Sequence, residues 1–256
     1  MTSAGLKSSY LKKKVGNLLF FNRLIRNAKA IQFLTKNEYE ESKDNFAFND
    51  YYFLGNGIEL PKTTYSKKIR EVFKIVFIGR YNVYHKGLDV LLKSINNSKK
   101  WFVENNVCLE MYGSDSDNGL QFLNKYIEEN NLNEIIKING PIFGKDKMKV
   151  LLDSDVFIHT SRLEGQPTSI IEAISYGIPV IVTPGTNMQD VVKEHRLGFI
   201  CKMDCEDIFK SIKECYESKD TFEEITKRSI EYAKNEYDWE YIARKSIDEY
   251  RIKLGE

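Results

Sequence analysis

The chain has 256 residues, enough for one large domain or two small ones, and its 42% hydrophobic content can bury a sizeable core. Charge is balanced, with 38 Lys and Arg against 37 Asp and Glu, which argues against nucleic acid as a partner. A run of about 18 apolar residues that would cross a membrane does not occur, and roughly the first 30 residues lack the apolar core and small-residue cleavage site of a secretory signal.

The balance conceals a gradient along the chain. Residues 1–37 carry eight basic side chains and no acidic one, whereas the remainder carries 30 basic against 37 acidic. Within residues 6–26, Leu6, Tyr10, Leu18, Phe21, Leu24 and Ile25 alternate with six cations at roughly helical spacing. Such a basic amphipathic helix either lies on an anionic membrane surface or packs its apolar face on protein.

Twelve of the 15 glycines fall between Gly55 and Gly198, and all five prolines between Pro61 and Pro184, so the tight turns are central. Short β-branched runs there predict strands at 72–79, 107–113, 135–139, 155–159, 178–182 and 198–201. Amphipathic patterns between them predict helices at about 86–95, 119–130, 145–153, 168–176 and 187–194. Beyond the last strand the chain reads as helix. The alternation defines an α/β fold with a parallel sheet and helices on both faces. The four cysteines (Cys108, Cys201, Cys205, Cys215) show no CxxC spacing and read as reduced thiols of a cytosolic protein.

Ligands of such folds bind where strands end and helices begin. After the first strand, Gly79-Arg80 and Lys86-Gly87 put two cations beside a helix start, which suits a phosphate or diphosphate, although two solvated surface cations would look the same. Tyr112-Gly113-Ser114-Asp115 ends the second strand, with a glycine that admits a ligand or simply turns the chain. Asn139-Gly140-Pro141-Ile142-Phe143-Gly144 offers free backbone groups and apolar side chains to a flat nucleobase, or is a turn. The strongest segment is Glu164-Gly165-Gln166-Pro167-Thr168-Ser169-Ile170-Ile171-Glu172. Here Thr168 or Ser169 can cap a helix, and the backbone N–H groups of residues 166–169 can point at a ligand. Glu164 and Glu172 can accept hydrogen bonds from sugar hydroxyls, or can be acidic residues near the positive end of a capped helix.

In this order and spacing these motifs, with Tyr176-Gly177-Ile178-Pro179-Val180 after them, resemble the donor-binding half of retaining GT-B glycosyltransferases of family 4, the glycosyl transferases group 1. Tyr237-Asp238-Trp239-x-x-Ile242-Ala243 and Tyr250 are similar to that family's closing helix. Phe53-Leu54-Gly55-Asn56-Gly57-Ile58-Glu59 resembles its interdomain junction, with Gly55 where proline is usual. Ala28-x-x-Ile31-x-x-Leu34-Thr35-x-x-Glu38 is similar to the last strand and helix of the acceptor domain, and residues 5–26 to its penultimate helix.

The resemblance implies three parts. Residues 1–57 are a remnant of the acceptor domain plus the junction, 58–236 a Rossmann-like nucleotide-sugar domain, and 237–256 the crossing helix. Each GT-B domain runs to about 150–200 residues, so the resemblance implies a chain that carries only a small part of the acceptor domain. The gene is truncated, split with a separately encoded acceptor domain, or naturally this short.

The resemblance also implies a UDP- or GDP-linked sugar as donor, a glycan or lipid-linked acceptor, and no metal. Arg80 and Lys86 neutralise the diphosphate, Glu172 binds ribose, and Glu164 with the backbone of 165–168 holds the sugar. Gly79, Gly113, Gly140, Pro141, Ile142, Gln166, Pro167, Thr168 and Ser169 complete the binding set. Transfer would retain the anomeric configuration by same-face attack, in capsule, lipopolysaccharide or exopolysaccharide synthesis, on the inner face of the membrane. Two other readings stay open: a non-catalytic sugar-nucleotide-binding module needing a partner chain, and a nucleotide-sugar epimerase.

Overall fold

The structure, a computed structural model, describes residues 16, 21–64 and 71–255. They form two compact units. One combines the residues up to Glu59 with those from Glu236 onward, and the other is Leu60–Asn235. Most of the predicted basic helix over 6–26 falls outside the described residues.

In the first unit a short helix, α1 (Asn22–Asn27), leads to β1 (Ile31–Phe33), α2 (Lys36–Ser42) and β2 (Tyr51–Phe53). Strands β1 and β2 pair in parallel, Ile31 opposite Tyr51. Helix α2 starts sharply because Thr35 Oγ1 accepts from Glu38 N at 3.1 Å while Leu34 N donates to Glu38 Oε2 at 2.8 Å, a reciprocal cap shifted by one residue. Phe33, Tyr39, Phe48 and Tyr51 cluster over the strands, Tyr39 stacked on Tyr51 at 4.3 Å.

The second unit continues with β3 (Phe73–Ile78), α3 (Leu88–Asn97), α4 (Lys99–Glu104), β4 (Val107–Tyr112), α5 (Gly119–Glu129), β5 (Ile136–Asn139), α6 (Gly144–Leu152), β6 (Val156–His159), α7 (Thr168–Ser175), β7 (Val180–Val182), α8 (Gln189–Glu194), β8 (Gly198–Ile200), α9 (Cys205–Glu217) and α10 (Phe222–Glu236). The last helix, α11 (Trp239–Leu254), belongs to the first unit. There Ile58 N donates to Tyr237 O at 2.7 Å and Lys253 pairs with Asp50 at 2.8 Å.

The strand order is β5-β4-β3-β6-β7-β8, with every neighbour parallel. This is the α/β fold expected from the alternating pattern, and its strands are apolar because helices cover both faces. β6 and β7 are buried at every position. Helix α3 buries Leu88, Leu91, Leu92 and Ile95, and α9 buries Ile208, Ser211, Ile212 and Cys215, both on the i, i+3, i+4, i+7 stripe of an amphipathic helix. Ser94 Oγ of α3 donates to Cys205 O at 2.6 Å where these helices meet. The sequence pattern did not predict α4, since six residues are too few to show a period. The strand order reverses between β3 and β6, and that switch point opens a crevice at their carboxyl ends.

Candidate functional site

A cleft of about 390 Å³ opens beyond the ends of β3 and β4. Arg80 and Lys86 line it from the loop after β3, and Gly113 and Ser114 from the end of β4. Pro141, Ile142 and Phe143 enter from the loop after β5, Lys147 from α6, and Glu164 with residues 166–169 from the loop that opens α7. Of the candidates named from sequence, Gly140, Gly165 and Glu172 are not on the wall, while their immediate neighbours or partners are.

Buried charge defines the floor of the cleft. Lys86 Nζ is paired with Glu164 Oε1, and the two side chains are only 13% and 19% exposed. The same oxygen accepts from Ser161 Oγ at 2.8 Å and lies 3.4 Å from His159 Nε2. His159 is fully buried and stacks near the rings of Phe77 and Phe157, and its Nδ1 has no hydrogen-bond partner among the described residues. Burial pushes the Glu164 carboxyl up, but His159 and Lys86 outweigh it and hold the group at about 2. Burial and the nearby Lys86 lower the His159 pKa against the pull of Glu164, so the imidazole is neutral and donates through Nε2 to the carboxylate. Arg80, by contrast, is exposed, and among the described residues no acidic side chain pairs with it.

The two loops at the switch point are tied together. Arg162 donates to both oxygens of Asp89, at 2.7 and 2.8 Å, and to Tyr84 O at 2.7 Å. Arg162 N donates to His85 O at 2.8 Å, and Thr160 Oγ1 donates to Lys86 O at 3.0 Å. Gly87 is required here, because its φ is +64° and an added Cβ would stand 2.0 Å from Thr160 O. Asn187 Nδ2 donates to Glu164 O at 2.7 Å and fixes the α7 loop from behind.

Some expectations are corrected. Neither Thr168 nor Ser169 caps α7. Pro167 holds the N-cap position with extended backbone and no side-chain hydrogen bond, so the helix start faces the cleft uncapped by a side chain. Gly113 lines the cleft and is also required by packing: a Cβ there would sit 1.9 Å from Gly79 O, so the glycine lets the backbones after β3 and β4 meet. Glu172 is not free on the cleft wall, because its carboxylate pairs with Lys147. Asp-x-Asp, the metal signature of other glycosyltransferases, occurs at Asp115-Ser116-Asp117 and Asp153-Ser154-Asp155, and both pairs are engaged. Leu120 N donates to Asp115 and Asn82 to Asp117, while Lys74 contacts Asp153 and Asp155.

Lys147, His159 and Arg162 were missed in the sequence. Each works through a partner on another element, and a lysine at i+3 of a helix or a histidine in an apolar strand carries no local sign of that partner.

The buried pair predicts acid sensitivity in two limbs. His159 takes a proton in the unfolded chain near 6.5 but resists it when folded, so stability falls as pH drops below about 6.5. Glu164 contributes stability that is complete above about 4.5 and is lost as pH falls toward about 2. Urea unfolding of His159→Gln across this range is expected to lose the first limb and to shrink the second, because His159 is one of the groups that hold the Glu164 carboxyl down. An unchanged first limb would refute the assignment.

The parallel sheet flanked by helices matches the fold of the C-terminal, Rossmann-like half of GT-B proteins. The family described as glycosyl transferases group 1 matches residues 63–236, and the chain belongs to it. The chain is 29% identical over 174 residues to Protein CapJ of Staphylococcus aureus, covering 67% of this chain and 43% of CapJ. In structure it is similar to sucrose-phosphate synthase from Thermosynechococcus elongatus, with a TM-score of 0.81 and 17% identity over 94% of this chain and 62% of that one. Anabaena HepE, solved with UDP and glucose, aligns with a TM-score of 0.78 and 16% identity over 91% of this chain and 66% of that one. The aligned segment thus spans less than half of CapJ.

Proposed function

We propose that the cleft binds the nucleoside diphosphate of an activated sugar and that the chain transfers the sugar, with retention, to a hydroxyl of a glycan or lipid-linked acceptor, as in family 4. The observation that carries this reading is the convergence of Arg80, which has no acidic partner among the described residues, paired Lys86 and Glu164, and the open start of α7 on one cleft at the switch point. Family membership and the UDP and glucose found on HepE support it.

In this reading the diphosphate lies against Arg80, Lys86 and the first N–H groups of α7, which stabilise the charge that grows as the glycosidic C–O bond breaks. These groups take the part that a metal plays elsewhere. The acceptor oxygen bonds to the anomeric carbon on the face the leaving group vacates, and the acceptor proton passes to the departing phosphate oxygen. Glu164 orients the sugar and stays ionised, with no covalent role.

Calorimetry with UDP and GDP tests the reading. Arg80→Ala is expected to weaken binding of the preferred nucleotide about tenfold or more, the worth of one charge-assisted hydrogen bond. Absence of binding to either nucleotide by the unaltered protein would overturn the proposal. Binding without turnover on lipid-linked or oligosaccharide acceptors would instead assign a donor-binding module that needs a second chain.

A further inference from the structure

We infer that Lys147 is a third cation of this site, one that screens Glu172 while the cleft is empty and moves to phosphate when a nucleotide enters. The inference rests on the nucleotide-binding reading above. Lys147 lines the cleft from the first turn of α6, and its Nζ contacts Oε2 of Glu172 on α7. That oxygen is walled off from water and receives no aligned hydrogen bond, so the contact is an ion pair and nothing more. Among the described residues the Glu172 carboxylate accepts no hydrogen bond at all. The other carboxylate of the motif differs: Glu164 is held by Ser161, and its backbone by Asn187, so the Lys86 contact is one of several.

The chemistry of the two partners makes an exchange favourable. A carboxylate with one oxygen out of water needs a partner at that oxygen, and among the described residues Lys147 is the one it has. Ribose hydroxyls are donors that can replace the lysine, and a diphosphate is an anion that can receive it. Lysine suits the move because its charge rides on a flexible four-carbon stem. A ligand bringing phosphate alone draws Lys147 off and strands Glu172. A ligand bringing ribose alone displaces Lys147 with no anion to meet it. A nucleoside diphosphate breaks the pair once and satisfies both halves, so the pair selects against free phosphates and for nucleotides.

The test is calorimetric titration of pyrophosphate into the unaltered protein, Lys147→Met, Glu172→Gln and the double variant, with UDP and GDP titrated in parallel. Glu172→Gln frees Lys147 and is expected to bind pyrophosphate about tenfold more tightly than the unaltered protein, while binding the preferred nucleotide more weakly. Lys147→Met is expected to bind pyrophosphate more weakly, and the double variant to match it. Misfolding cannot produce the gain in affinity. If Glu172→Gln binds pyrophosphate no more tightly, or if the double variant behaves like Glu172→Gln, the inference falls. If the unaltered protein binds neither nucleotide, the functional reading falls instead.

Discussion

Lys86→Met is expected to weaken nucleoside-diphosphate binding about a hundredfold and to lower the free energy of unfolding by about 3–5 kcal/mol. The loss of affinity follows from removing a cation that touches the ligand. The loss of stability has a separate origin. Glu164 is only 19% exposed, and Lys86 is its counter-ion. Without the lysine, the burial that already pushes the carboxyl up is opposed by His159 and Ser161 alone. Breaking one side of a buried pair leaves a desolvated charge, whereas removing both sides does not. Lys86→Met/Glu164→Gln should therefore regain most of the stability in urea unfolding while binding stays lost. Equal instability of the single and double variants would show that Lys86 supports the fold by its stem and not by its charge.

Gly113→Ala is expected to cost about 3 kcal/mol or more. The new Cβ would stand 1.9 Å from Gly79 O, and that oxygen belongs to backbone that cannot rotate away. The strand ends must part, and with them the loop that carries Arg80. Gly140→Ala is the control. An added Cβ there meets nothing within 4 Å, so stability should be unchanged within about 0.5 kcal/mol. Thermal unfolding of the two variants separates them, and a Gly140→Ala protein as unstable as Gly113→Ala would refute this account.

The parts of the fold that the sequence made legible are those with a local period. The strands β3–β8 and their intervening helices appear as alternating apolar runs and amphipathic stretches, with boundaries displaced by one or two residues where the chain frays. The cleft was legible for a different reason: in a parallel sheet every strand ends on the same side, so Gly79, Gly113, Gly140 and Glu164 had to gather at one edge. What pairs with what was not legible. Lys86 and Glu164 are 78 positions apart, and only the adjacency of β3 and β6 brings them together. The same adjacency makes Arg162 a strap across both loops and turns His159 from an unremarked strand residue into the neighbour of a buried carboxylate. Gly113 shows the converse limit, since a glycine admitting a ligand and one admitting a neighbouring backbone look identical in sequence.

The hydrogen bond from Ile58 to Tyr237 has a consequence for how the chain folds. It joins segments roughly 180 residues apart, and closing a loop of that length in an unfolded chain costs on the order of 4–5 kcal/mol of entropy. Leu60–Asn235 removes that cost once it has folded, because the intervening chain is then compact. The unit containing β1, β2 and α11 is therefore expected to close after Leu60–Asn235 has folded and α11 has been synthesised. Until then the aromatic cluster around Tyr39 lacks the α11 part of its unit and is exposed to non-native contacts on the ribosome.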